Sequence, residues 1–169
     1  MKRNYIALDL ALLLVFFLIS TCSTMHHYLK ANSVLTRRIV KTLYSNNDNA
    51  FYLSSTYANF SIVWTYNKGS VEVYRLQNGT VREKQIFESK ETIQLITASL
   101  EEIDNDLNHN CAPELDGDVF GVYVKTDDKT INEEFAININ CLKTGNYKSE
   151  LLNRIVRDIK YYKMWEYEY

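Results

Sequence analysis

A long apolar stretch opens the chain. Residues 5–22 are apolar except for Asp9, Ser20 and Thr21, and two basic residues precede them. A bilayer core needs roughly 20 apolar residues, whereas a signal peptide needs an apolar stretch of about 7–15. The uninterrupted part, residues 10–19, fits the shorter range as well. Length therefore allows either a retained membrane anchor or a cleaved export signal.

The residues that end this stretch favour the retained anchor. No cleavage site of the Ala-x-Ala type follows it, so cleavage near Cys22 is the second interpretation. Lipidation of Cys22 is the third, because a lipoprotein signal usually has Gly or Ala before the modified cysteine and Thr21 stands there.

The charges predict how an anchor would be oriented. Lys2 and Arg3 precede the apolar stretch, and basic residues tend to stay on the cytoplasmic side. We therefore expect a short cytoplasmic tail at residues 1–4, a transmembrane anchor at 5–24 and a domain outside the cytoplasm at 25–169.

Three later segments have apolar residues at helical spacing, and they cover residues 24–44, 91–107 and 148–165. In the second segment the stripe consists of Ile93, Ile96, Leu100, Ile103 and Leu107, with Ser89 as the N-cap. Each stripe predicts an amphipathic helix packed on the domain. For the first segment, a coiled-coil stalk is the alternative.

Other segments are rich in β-branched and aromatic residues, which predicts strands. They cover residues 60–66, 71–76, 81–87, 119–126 and 131–141, and residues 52–57 are expected to add an edge strand. Asn67-Lys68-Gly69 and Asn78-Gly79 separate the first three, and Asn-Gly is a strong hairpin signal.

The order of these elements predicts the fold class. Helix, strands, helix, two strands and helix indicate one α+β domain with an antiparallel sheet, two or three packed helices and those helices on one face. The hydrophobic fraction of 46% is sufficient for a core, and a single proline argues against disorder. The net charge of −2 predicts no basic patch for nucleic acid, while thirteen tyrosines suit a binding surface.

Two of the three cysteines, Cys111 and Cys141, fall in the domain outside the cytoplasm. In an exported domain such a pair is expected to form a disulfide. A strand over residues 131–141 that folds back on 119–126 would bring Cys141 toward the loop that holds Cys111. We therefore predict a structural bridge between them.

Carboxylates cluster close to one histidine. His109 lies two residues before Cys111, and Glu114, Asp116 and Asp118 follow. The acidic run lacks the ligand spacing of an EF-hand, so a solvated loop is the main interpretation. The alternative is a pH-sensing contact between His109 and these carboxylates.

Motifs of catalysis are missing from the sequence. It contains no Gly-x-Ser-x-Gly, no His-Glu-x-x-His and no phosphate-binding glycine loop. The adjacent His26 and His27 point to different faces of a helix, which disfavours a metal site. We expect no catalytic residues, no metal and no cofactor, and a protein that is not an enzyme.

The predicted layout resembles that of a bacterial family. It consists of a short tail, one membrane span and an exported α+β domain with a cysteine pair. It is similar to the small accessory proteins of membrane-bound transcription activators, of the PsaF and MyfF type and more distantly ToxS and TcpH. Gln94-Leu95-Ile96-Thr97 is similar to a short run in ToxS. The resemblance covers the architecture of the whole chain and assigns no functional residue.

The resemblance implies a function in binding. Members of that family sit in the inner membrane, and their periplasmic domain binds, protects and modulates the periplasmic domain of the activator. It implies the same here, with an exposed sheet edge or a tyrosine-rich face as the contact. The alternative is a periplasmic immunity protein that neutralises a secreted toxin, and an envelope enzyme is a third hypothesis.

Overall fold

The computed structural model describes residues 30–55, 58–89, 100–111, 118–127 and 129–165. Helix α1 covers residues 30–47 of this part. The later elements are β1 (Asn49–Ser55), β2 (Phe60–Asn67), β3 (Ser70–Gln77), β4 (Thr80–Glu88), α2 (Leu100–Asn110), β5 (Asp118–Lys125), β6 (Thr130–Ile137), α3 (Ile139–Thr144) and α4 (Glu150–Tyr161). The six strands form one antiparallel sheet in the order β4-β3-β2-β1-β5-β6, which confirms the predicted α+β class.

Helices cover both faces of the sheet, so the expectation of helices on one face is wrong. Helices α2, α3 and α4 pack on the face that carries Phe51 and Trp64. Helix α1 packs on the opposite face, against Ala50, Tyr52 and Val63. The reason lies in the inner strands, since β2 is buried along seven of its eight residues and needs cover on both sides.

Strand β1 lies in the middle of the sheet, where the sequence predicted an edge strand over residues 52–57. It pairs with β2 on one side and with β5 on the other, as in the pairs Phe51–Trp64 and Phe51–Val122. The partner β5 begins more than sixty residues later in the chain. A local hydrophobic pattern carries no information about such a distant pairing.

The strand predicted at residues 131–141 ends earlier, and that boundary is wrong. Strand β6 stops at Ile137, and Asn138 then caps helix α3 by accepting hydrogen bonds from the N–H groups of Asn140 and Cys141. Ile139 is buried, as the next inward-facing residue of a strand would be. The alternation of apolar and polar residues therefore continues past Ile137, although the backbone is helical from Ile139 onward.

The predicted hairpin at Asn78-Gly79 is confirmed. Both residues have positive φ angles, 52° and 75°, and they join β3 to β4 as a two-residue turn. The last predicted helix is shorter than residues 148–165: α4 begins after Ser149, whose side chain accepts a hydrogen bond from the N–H of Leu152, and it ends at Tyr161.

The predicted anchor at residues 5–24 and the tail at 1–4 lie outside the described residues. Within the ranges that the structure describes, no helix combines the length and the apolar character that a membrane crossing requires.

Candidate functional site

The structure contains the predicted disulfide between Cys111 and Cys141. Their Cα atoms lie 5.3 Å apart, and the bond joins the residue after α2 to helix α3. The hydroxyl of Tyr147 lies 3.2 Å from the sulfur of Cys111 and donates a hydrogen bond to the carbonyl of Leu142. Burial raises the pKa of Tyr147 to about 12, so the phenol stays neutral beside the bridge.

The residues predicted as a pH-sensing group are not seen together. Glu114 and Asp116 lie outside the described residues, and for His109 the structure describes the backbone of α2 alone. Asp118 begins β5, and its carboxylate accepts a hydrogen bond from the N–H of Ile139 at 3.1 Å. It therefore caps helix α3, and the pH-sensing role stays a prediction.

A cleft lined by tyrosines lies on the face of the sheet that α1 covers in part. Helix α1 packs over β1, β2 and β3, and it leaves the same face of β6 exposed at Asn132 and Glu134. The space between α1 and the β5–β6 pair has a volume of about 330 Å³. We call it the tyrosine cleft, and its lining consists of Arg37, Val40, Lys41, Tyr44, Tyr52, Tyr123, Asn132 and Glu134.

One carboxylate organises the floor of the tyrosine cleft. The hydroxyl of Tyr123 donates a hydrogen bond to Glu134 at 2.9 Å, and burial together with this bond raises the pKa of Tyr123 to about 12. Burial, and then the negative charge of Glu134, also raise the pKa of Tyr52 well above its usual value. Both phenols are therefore neutral at physiological pH, and Tyr123 donates its hydroxyl proton to the carboxylate that also acts on Tyr52.

A glycine makes room for this arrangement. Tyr52 is opposite Gly121 in the β1–β5 pairing, and a Cβ atom on Gly121 would overlap the Tyr52 ring. Because residue 121 has no side chain, the ring lies flat across β5 toward Glu134 on β6. The rings of Tyr52 and Tyr44 both contact Tyr123, with centroids 6.4 and 6.1 Å apart.

A second, smaller hollow continues the cleft along α1. It has a volume of about 180 Å³ and shares Arg37, Tyr52 and Glu134 with the first. Polar side chains such as Asn32, Thr36 and Ser54 line it. We treat the two adjoining spaces as one groove that is aromatic at one end and polar at the other, and Arg37 of α1 and Glu134 of β6 line both parts.

The groove combines polar and charged groups with aromatic surface. It offers hydroxyl, guanidinium, ammonium, amide and carboxylate groups around aromatic surface, the combination that protein interfaces favour. Across the residues that the structure describes, no group of three His, Cys, Asp or Glu side chains is arranged to hold a metal ion.

The sequence pattern does not predict the tyrosine cleft. Tyr44, Tyr52, Tyr123 and Glu134 come from four different elements, and the strand order that assembles them is not local. The high tyrosine count was the one available signal. No family model, no curated protein and no solved structure matches this chain.

Proposed function

We propose that this protein is a single-span accessory protein of the bacterial inner membrane. Its periplasmic domain binds, stabilises and modulates a partner, a membrane-bound transcription regulator of the type that controls virulence or fimbrial genes. The observation that supports this proposal is the tyrosine cleft, a wet aromatic groove with a fixed carboxylate beside an edge strand.

The edge strand provides the means to hold an extended partner segment. Strand β6 is the last in the sheet order, and its outer edge pairs with no strand of the described chain. A segment of the regulator that adds to β6 would gain main-chain hydrogen bonds. Its alternate side chains would lie near Glu134 and Tyr123, and the rigid ring of Tyr123 would bury area at a small loss of conformational entropy.

Two further features fit a periplasmic accessory protein. The disulfide between Cys111 and Cys141 suits an oxidising compartment outside the cytoplasm. An anchor at residues 5–24 would confine this protein and the regulator to one membrane, which raises their effective concentration without adding any contact.

The test uses two neighbouring carboxylates of β6. Glu134 lies in the tyrosine cleft, whereas Glu133 is paired with Val122 and points to the opposite face. Tagged full-length protein is purified from membranes in mild detergent, and the co-purifying regulator is measured. We expect Glu134→Arg to reduce recovery of the regulator by roughly tenfold or more, since the proposed interface would lose a contact that it covers, while Glu133→Arg should leave recovery unchanged.

A gene deletion provides the second test. We expect the regulator to fall in abundance when this gene is deleted, because an unprotected periplasmic domain is degraded. Unchanged regulator level and activity would contradict the proposal. Co-purification of a toxin, with self-intoxication in the deletion strain, would instead support the immunity protein.

A further inference from the structure

Helix α1 carries an unusual concentration of positive charge. Residues 30–47 contain Lys30, Arg37, Arg38 and Lys41 and no Asp or Glu, although the whole chain has a net charge of −2. Within the described chain none of these four side chains forms an ion pair with a carboxylate. Their charge is therefore available to a ligand outside the domain.

Most of this charge lies on the side of α1 that points away from the sheet. Asn32, Thr36, Val40 and Leu43 are buried on the inner side. The outer side carries exposed residues at spacings of three and four, which place them in one row. We call this row the outer ridge, and it consists of Lys30, Val34, Arg38, Lys41 and Ser45.

Apolar surface accompanies the charge at the start of the helix. Val34 is 52% exposed, which is high for a large hydrophobic residue. It lines a shallow hollow of about 290 Å³ between α1 and the β3–β4 turn, with Ala31, Leu35 and Gly79 as further apolar walls and Lys30 and Arg38 at the rim. Basic residues around exposed apolar surface are the features of helices that lie in a membrane interface.

The orientation of the outer ridge is fixed by the fold. The side chain of Asn32 donates a hydrogen bond to Ser61 on β2 at 2.9 Å and accepts one from the N–H of Gly79 at 3.3 Å. A Cβ atom on Gly79 would lie 2.7 Å from the Cβ of Ala31, so helix and turn are in close contact. The ridge therefore moves with the whole domain and faces one direction.

The chain before α1 determines what the ridge can reach. The anchor of the proposed function ends at residue 24, and this inference rests on that anchor. Five residues, 25–29, separate that end from the described part of α1, and even a fully extended chain of this length spans roughly 17 Å. Helix α1 would consequently stay close to the bilayer surface, where the charge of anionic lipids acts within a Debye length of about 8–10 Å.

We infer that the outer ridge of α1 lies against the anionic phospholipids of the membrane that holds the anchor. Lys30, Arg38 and Lys41 contact lipid phosphates, and Val34 enters the interface between headgroups and acyl chains. The sheet then stands above α1. The tyrosine cleft opens on the flank of the helix and stays accessible to the partner, with Lys41 at the border of the two surfaces.

The experiment uses the full chain in nanodiscs. A fluorophore is attached at Ser45→Cys in a Cys22→Ser background, and its quenching by lipids with a nitroxide headgroup is compared between phosphatidylcholine discs and discs that also contain phosphatidylglycerol. We expect quenching to be about twofold stronger in the anionic discs and to decline as salt is raised. The double variant Lys30→Glu/Arg38→Glu should abolish the difference between the two lipids.

A control variant changes the net charge by the same amount at positions away from the outer ridge. Lys125→Glu/Lys160→Glu alters two exposed lysines at the end of β5 and on α4, and it should keep the lipid difference. Equal quenching in both lipids overturns this inference and leaves the proposed function intact. A chain that does not enter the discs overturns the anchor and this inference together. If quenching of the labelled protein does not depend on the lipid, and Lys30→Glu/Arg38→Glu no longer co-purifies with the regulator, the outer ridge contacts the protein partner instead.

Discussion

At the scale of single residues, the binding groove depends on a few side chains whose properties come from their neighbours. Gly121 lets the Tyr52 ring lie across β5, and the ring brings its hydroxyl toward Glu134. Tyr123 donates to the same carboxylate. An exposed glutamate thereby accepts a hydrogen bond from one neutral phenol and lies near a second.

The titration of Tyr123 tests this description. Its pKa is raised from 10.0 to about 12, by burial first and by the bond to Glu134 second. The folded state thus favours the neutral phenol. This stabilisation is complete below about pH 10 and is lost as the pH rises through about 12.

We expect Glu134→Gln to lower the pKa of Tyr123 toward its usual value without reaching it, because the charge is removed and the burial remains. The measurement is the alkaline titration of phenolate absorbance, with Tyr123→Phe used to identify the signal. An identical titration in wild type and Glu134→Gln would show that Glu134 does not control this phenol.

At the scale of elements, α1 is connected to the sheet by polar as well as apolar contacts. Val40 and Leu43 supply the apolar part, and Asn32 supplies two hydrogen bonds near the start of the described helix. Asn32 is buried, so its polar atoms have been removed from water and need these partners. This connection determines where the tyrosine cleft and the outer ridge lie relative to the sheet.

Replacing Asn32 should weaken the attachment of α1. We expect Asn32→Ala to lower the free energy of unfolding by roughly 1–3 kcal/mol, because the buried hydroxyl of Ser61 loses its donor and the half-buried N–H of Gly79 loses its acceptor. Denaturant unfolding followed by the fluorescence of the buried Trp64 measures the change. Thr42→Ala, at an exposed position of the same helix, is the control and should change stability by less than about 0.5 kcal/mol. Equal stability of the two variants would contradict the role of Asn32.

At the scale of the whole molecule, the sheet separates two layers of different construction. One face is sealed by α2, α3, α4 and the residues after α4, where Arg75 donates hydrogen bonds to the carbonyls of Lys163 and Met164. The other face carries α1, the groove and the outer ridge. The helical cover of one face and the proposed interaction surfaces of the other are thus on opposite sides of the sheet.

The disulfide belongs to the sealed layer, and its removal should affect stability rather than binding. It closes a separation of 30 residues, for which loop entropy predicts about 3–4 kcal/mol. We expect Cys111→Ser/Cys141→Ser to lower the free energy of unfolding by about this amount and to keep recovery of the regulator at low temperature. A reducing agent should destabilise the wild type alone, and an unaffected wild type would show that the bridge contributes little.

Local patterns were sufficient to predict most elements of this domain. Period-two and helical spacing located the strands and helices, Asn78-Gly79 located a hairpin, and the two outer cysteines formed the expected bridge. These features depend on neighbours in the chain or on turn chemistry, which a sequence displays directly. The strand predicted over residues 131–141 shows the limit, because a buried Ile139 fits a strand and a helix equally well.

The tertiary structure alone decided the central place of β1, the two-sided cover of the sheet and the groove. β1 is central because β5 returns to pair with it, and α1 covers the second face, where Ser61, Val63 and Thr65 of β2 are buried. Tyr52, Tyr123 and Glu134 become neighbours through that same pairing. The sequence by itself determined the elements and their chemistry, since these are local. Which side chains meet depended on contacts between residues far apart in the chain.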